Sequence, residues 1–517
     1  MDEVVLTTSG YVRGLADGGL IRFAGLPYGQ AERWRAPHPM EPWRGIVGTT
    51  EFGTDAPQPT YSLRDEVRGG EDCLNLDIVR PNTDEVLPVV VYLHGGSFVM
   101  GSSHEAMLQG DTLVSRLDVV YVSVNFRLGV FGYLDLRTLG EGVANPGTRD
   151  QLLALEWVRE NIASFGGDPG NVTLMGESAG GAAVTTLMCV PAARGLFHKA
   201  IAQSAPVAAI HSPVQSRFWA AELVRRLDVP AEIAALRELP AEDLVRAGMS
   251  MMWRSRELLQ LNSCFGPTVD GSFVVEHPLA AFAGGRQAQV PLLIGTNNDE
   301  ASFSKLFYLR SAARRRAALR VLNAYDADSA VDVRAAYDGA TERSDFAELI
   351  ADAVFWAPSM ALAERHSQTC PTWMYRFDYA PVAMRWLGLG AIHSAELTAV
   401  FGNYEASRLR ALARDADQAN LNAVTEEMQE LWGSFFRWST PGTEEQWPRY
   451  RLPDAEGPGR ATKIFDATSR VEYDPKPDKR LAWKHYNMLE WSGFRTRDED
   501  WAQPGEPGVA SEEAEAS

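Results

Sequence analysis

Ser178 lies at the centre of a Gly-x-Ser-x-Gly pattern, within NVTLMGESAGG at 171–181. In a chain with 44 glycines the pattern alone is weak, and its neighbours decide its meaning. The apolar run VTLM before it reads as a buried strand, and AGGAAVTTLM after it as the start of a helix. Such a strand-turn-helix lifts a serine hydroxyl above a sheet, with Gly176 and Gly180 removing side chains that would clash. The helix N-terminus adds partial positive charge where an oxyanion would form. The bland alternative is a serine capping a helix in a tight turn.

The chemistry of an activated serine is acyl transfer, which needs a base, an acid that orients the base, and donors for the tetrahedral oxyanion. Donors come first in the chain: the apolar run VVVYL ends in His94-Gly95-Gly96-Ser97, where the glycines let backbone N–H groups approach a substrate closely. For the acid, PLLIGTNNDEAS places Asp299 and Glu300 just past another apolar run, and either could hold an imidazole. Among nine histidines, His393 in GLGAIHSAELTAVFG follows a strand pattern and a glycine-rich loop. His38 lies in a proline-flanked loop, His198 and His366 in helical text, and His94 in the donor turn. The order Ser178, Glu300, His393 is that of α/β-hydrolase triads.

The elements that must position these groups alternate in type. Short apolar strands are expected at 89–93, 119–126, 172–175 and 291–295, as in a parallel sheet buried on both faces. Between the second and third, Thr148 and Gln151 have capping-box spacing, and Leu152, Leu155, Val158 and Ile162 form one apolar helical stripe. Alternation of this kind implies crossover connections and an open α/β sheet. Residues 217–247 and 305–365 read as mostly helical, broken by Pro230, Pro240 and Pro358, and suit a cap over the sheet edge. TWMYRFDY at 372–379 reads as an edge strand and 425–438 as an aromatic-rich helix. We expect one catalytic domain over 1–495, with helical insertions near 205–260 and 305–365, and a disordered acidic tail over 496–517.

With 517 residues, 45% of them apolar, the chain can bury a large core. A formal charge of −19 argues against a nucleic-acid partner. The longest basic run, Arg314-Arg315-Arg316, reads as a solvated helix face. Cys73, Cys189, Cys264 and Cys370 are widely spaced, which suggests free thiols and neither a metal site nor a disulfide framework. Because the first residues carry no basic-then-apolar leader pattern, a cytoplasmic location and no membrane partner are expected. No cofactor or metal is expected, since protein groups supply both nucleophile and electrophilic stabilisation.

Nine segments in order, among them FAGLPYGQ, EDCLNLDIVRP, YLHGGSF, VSVNFRLGVFGYL and FGPTVDG, resemble the type-B carboxylesterases from about residue 3 to about 485. The resemblance implies an α/β-hydrolase fold, a mostly parallel central sheet with helices on both faces and helical cap insertions. It implies a serine esterase acting on small-molecule esters through an acyl-enzyme, with Ser178 as nucleophile, His393 as base and Glu300, rather than Asp299, as acid. It puts the oxyanion donors on the N–H groups of Gly96, Ser97 and Ala179, beside Gly95, and makes Ser204 a support of the acid and the histidine. Two departures stand out. Ser97 replaces the glycine or alanine usual at the third position of the donor turn, and Ala56 replaces the cysteine that would pair with Cys73, so that disulfide is not expected. The same triad acting on carbamate or amide bonds, and a non-catalytic binding module, are the rival readings; an oil-surface lipase has less support, because no long apolar lid is visible.

Overall fold

The computed structural model describes residues 2–60, 66–254, 263–406, 415–455 and 457–489. The expected tail at 496–517 lies outside the described residues, as does part of the first helical insertion. Among the described residues the chain builds a 13-stranded sheet. Its strands, named here in chain order, are β1 (Asp2–Thr7), β2 (Gly10–Asp17), β3 (Leu20–Pro27), β4 (Ile46–Gly48), β5 (Asn75–Pro81), β6 (Leu87–Leu93) and β7 (Val120–Val124). They continue with β8 (Gly167–Glu177), β9 (Lys199–Gln203), β10 (Leu292–Asn297), β11 (Thr372–Phe377), β12 (Ala461–Phe465) and β13 (Arg470–Tyr473).

Across the sheet the order is β1, β2, β3, β5, β7, β6, β8, β9, β10, β11, β12, β13, with β4 paired to β2. From β7 through β12 every pairing is parallel, and β1, β2, β3 and β5 add an antiparallel flank. The parallel strands β6, β7, β9, β10 and β12 are buried along their whole length, and β8 over 172–177, because alternate side chains feed two separate cores. Val89, Val91 and Leu93 pack into one layer and Val90 and Tyr92 into the other. The first layer is closed by the amphipathic helix α1 (Pro146–Asn161) through Leu153, Leu155 and Val158, and by α2 (Ala179–Leu187). Two further helices of the first insertion, α3 (Pro213–Leu227) and α4 (Ala241–Arg254), and two of the second, α5 (Ser311–Asn323) and α6 (Arg343–Ala351), follow in the chain. Beyond α6 comes α7 (Ala357–His366). The second layer is closed by α8 (Asp415–Trp438), whose Met428, Trp432 and Phe435 meet Trp373 and Tyr375.

Four expectations are corrected. TWMYRF is not an edge strand: β11 is hydrogen-bonded in parallel to both β10 and β12, and five of its six residues are buried. Helix α1 begins at Pro146 with Asn145 as N-cap, so Thr148 and Gln151 are not a capping box; Gln151 instead donates to the Tyr133 hydroxyl at 2.8 Å. Arg314 is buried, its guanidinium donating to the carbonyls of Tyr308, Leu309 and Thr341, while Arg315 and Arg316 are exposed. Pro358 does not break the helical run, because it sits in the first turn of α7, directly after the π-turn Asp352–Trp356, where a missing N–H is tolerated. The helical run from Arg343 to His366 is long and apolar enough to cross a membrane by composition, but it is packed mostly inside the protein.

Candidate active site

Parallel neighbours end on the same side, so the loops after β6, β8, β9, β10 and β11 gather at one sheet edge. Ser178 follows β8 directly, with φ 55° and ψ −122°. A non-glycine residue held there costs on the order of 1–3 kcal/mol, and the surroundings enforce it. Its N–H donates to Gln203 O at 2.9 Å. The flanking glycines are steric necessities: a Cβ at Gly176 would lie 2.5 Å from Gly180 backbone, and one at Gly180 only 1.9 Å from Leu93 O.

The Ser178 hydroxyl donates to His393 Nε2 at 2.9 Å, and His393 Nδ1 donates to Glu300 Oε2 at 2.6 Å. The other Glu300 oxygen, Oε1, accepts from Ser204 Oγ at 2.6 Å and from Asn297 N–H at 2.8 Å. Glu300, 1% exposed at its side chain, thus aims its remaining oxygen at the ring and fixes which nitrogen carries the proton. Ser204 touches Glu300, one of the two residues it is expected to support, from just past the end of β9, which lies between the strands leading to Ser178 and Glu300. Asp299 does not reach the imidazole; its Oδ2 accepts from Ala391 N at 3.2 Å and so steadies the loop that presents His393.

After β6, His94 Nδ1 donates to Gly95 O at 2.8 Å, and Gly96 O accepts from the amides of Val99 and Met100. In a trans peptide the N–H points opposite to the preceding carbonyl, so the amides of Gly96 and Ser97 face away from those partners. Gly96, at φ +108°, could not be replaced freely, since a Cβ there would lie 2.0 Å from Met100 O. Gly95 is equally confined: its Cβ would meet Glu177 Oε2 at 2.8 Å. Gly96, Ser97 and Ala179 all border cavities that also contain Ser178.

Three neighbours of this hydrogen-bonded chain are not singled out in the sequence. Glu177, 4% exposed at its side chain, lies 3.4 Å from His393 Nε2 and accepts from Ser394 Oγ at 2.6 Å. Glu396, fully buried, accepts from Asn297 Nδ2 at 2.5 Å. Phe355 stacks on the His393 ring at 4.7 Å between centroids. Chain adjacency to Ser178 and His393 was the available signal for the two carboxylates; nothing in the sequence marked Phe355. Burial pulls the His393 imidazole down, but the neighbouring carboxylates Glu177 and Glu300 outweigh it and raise it above the usual imidazole range. Burial pushes both Glu177 and Glu396 above the usual carboxylate range; neighbouring carboxylates add to this and His393 opposes it.

Two cavities meet at Ser178. One, of about 260 Å³, has Glu105, Glu177, Ser394 and Met107 in its walls. The other, of about 380 Å³, is apolar, walled by Phe303, Ile350, Ala353, Val354 and Phe355. The four cysteines are free thiols, Cys73 lying buried beside the strand end with Ala56 also buried.

Residues 1–476 match the model of the carboxylesterase family. The chain is 34% identical over 497 residues to the para-nitrobenzyl esterase of Bacillus subtilis (strain 168), covering 92% of this chain and 98% of that one. It is 30% identical over 475 residues to the phenmedipham hydrolase of Pseudarthrobacter oxydans, covering 87% and 93%. Among solved structures, a PNB esterase superposes with a TM-score of 0.82 at 33% identity, covering 93% of this chain and 99% of that one. A Geobacillus stearothermophilus carboxylesterase superposes with a TM-score of 0.80 at 32% identity, covering 93% and 99%.

Proposed function

Because the chain belongs to the carboxylesterase family, with the α/β-hydrolase fold, and is a serine hydrolase of carboxylic esters, we propose that Ser178, His393 and Glu300 are its catalytic triad. The observation that carries the assignment is the continuous chain of hydrogen bonds from Ser178 Oγ through His393 to Glu300, with Ser204 fixing its far end.

In the first half-reaction the Ser178 proton passes to His393 Nε2 as Oγ bonds to the ester carbonyl carbon, and the carbonyl oxygen becomes an oxyanion. The N–H groups of Gly96, Ser97 and Ala179 receive that oxyanion, each worth roughly 3 kcal/mol of barrier if well aimed. Glu300 stabilises the imidazolium without taking its proton. The carbon–alkoxy oxygen bond then breaks and the alcohol leaves with the proton from Nε2. Water repeats the cycle: it gives a proton to His393, bonds to the acyl carbon, and releases the carboxylic acid as Ser178 Oγ recovers its proton. No step calls on a metal or an organic cofactor.

The substrate is a small-molecule ester whose two halves differ in polarity, an apolar half fitting beside Phe303 and Ile350 and a compact, more polar half beside Glu105 and Glu177. Substituting Ser178→Ala tests the assignment: p-nitrophenyl acetate turnover should fall by several orders of magnitude at an unchanged melting temperature, and activity near wild type would refute it.

A further inference from the structure

The ring that stacks on His393 sits in an unusual piece of backbone. Phe355 belongs to the π-turn Asp352–Trp356 between α6 and α7, and the two ring planes are inclined by 30°. A π-turn is a costly widening of a helix, kept where something holds it and where it re-aims side chains at a site. Here the holder is a buried polar cluster. Asp352, 2% exposed, accepts from Lys476 Nζ at 2.8 Å and from the Tyr337 hydroxyl at 2.6 Å. Trp483 Nε1 donates to that same hydroxyl at 2.8 Å. Lys476 also reaches Glu348 in α6 at 3.2 Å and lies 5.2 Å over the ring of Trp356. The first and last residues of the π-turn are therefore gripped by the segment leading into the last described helix, α9 (Pro477–Trp483).

Held in this way, Phe355 has two faces of contact. One covers the imidazole; the side chain also forms part of the apolar cavity, next to Ile350, Ala353 and Val354. The charged groups around the same imidazole are Glu177, Glu300 and Glu396. Each of them acts on its charge, whereas Phe355 constrains its plane and excludes water from one face. An aromatic face also attracts the cation that His393 becomes in the transition state.

We propose that Phe355 is a positioning and specificity-determining residue: its ring sets the plane of His393, faces the imidazolium as it forms, and limits the size of the group admitted to the apolar cavity. The inference rests on His393 being the base, as proposed above.

The test compares wild type, Phe355→Leu and Phe355→Tyr, with rates expressed per serine titrated by a fluorophosphonate so that misfolded protein does not count. Two series of p-nitrophenyl and alkyl esters vary acyl length and alcohol bulk separately. Phe355→Leu should lower kcat on the smallest ester roughly ten-fold while KM changes little, and should shift the size preference of one series toward bulkier groups. Phe355→Tyr, which keeps the ring, should retain clearly more of the wild-type kcat than Phe355→Leu. The proposal is overturned if Phe355→Leu keeps both kcat and size preference, or if Tyr loses as much rate as Leu. A wild-type enzyme that the fluorophosphonate does not label would instead point to a failure of the triad assignment.

Discussion

Ser394 donates its hydroxyl proton to Glu177 at 2.6 Å, and so the residue after His393 holds the residue before Ser178. Ser394 takes a left-handed φ of 66° to do so. The bond tethers a buried carboxylate beside His393 Nε2, the nitrogen proposed above to accept and return the proton. Its field is one of the causes that favour the imidazolium.

Replacing Glu177 by Gln removes that field while keeping the shape. The imidazole then loses its proton more readily, and the acidic limb of the kcat/KM profile against pH moves to lower pH. The alkaline plateau falls, because the imidazolium formed in the transition state is less stabilised. A profile of kcat/KM between pH 5 and pH 10 checks both; a limb that stays in place would show that Glu177 does not act on His393.

Ser204→Ala removes one of the donors that aim Glu300. Because Asn297 N–H and the imidazole still hold the carboxylate, the loss is partial: kcat should fall roughly ten-fold with KM little changed. Steady-state kinetics on p-nitrophenyl acetate measure it.

At the donor turn, two substitutions should diverge. Gly96→Ala cannot keep φ +108° with a Cβ 2.0 Å from Met100 O, so the turn shifts and kcat should drop on the order of 100-fold. Ser97→Gly keeps the N–H and removes only the added hydroxyl, so kcat should hold and only the preference among esters change. Parallel kinetics on the two variants separate backbone placement from pocket polarity.

The strongest purely structural prediction concerns Arg127 and Asp150. Their fork-to-fork pair, 2.6 Å at its shorter contact and almost wholly buried, ties the segment after β7 to α1, and Arg127 also donates to Glu32 O and Arg35 O. Asp150→Ala leaves a buried guanidinium uncompensated and should cost about 3–5 kcal/mol of stability. Urea unfolding measures it.

The parts of this fold that were legible in the sequence are those in which local pattern and tertiary demand agree. Strands such as VVVYL and PLLIG are continuous apolar runs because both of their faces are buried, and the strand-turn-helix around Ser178 needs small residues at fixed places. The antiparallel flank from Asp2 is absent from the expected strands, although GYVRGLAD alternates along β2, because β2 buries only two of its residues and forms no continuous apolar run. Local pattern misled where a tertiary partner decided the outcome. The alternation of TWMYRFDY suggests an edge, yet Arg376 is taken up by Asp378 at 2.6 Å, which lets the strand sit inside the sheet. Arg314 is buried because the carbonyls of Tyr308 and Leu309, just before its helix, and of Thr341, well after it, converge on its guanidinium, and the residue types in the chain do not signal that. From spacing alone, Asp299 and Glu300 were equivalent; their separation comes from the turn after β10, which sends one toward Ala391 and the other toward the imidazole.

The most direct measurement is the site of covalent capture. Wild-type protein treated with a fluorophosphonate and mapped by peptide mass spectrometry should carry the adduct on Ser178, and His393→Ala should be labelled orders of magnitude more slowly. An adduct on another serine, or labelling of His393→Ala at the wild-type rate, would contradict the account.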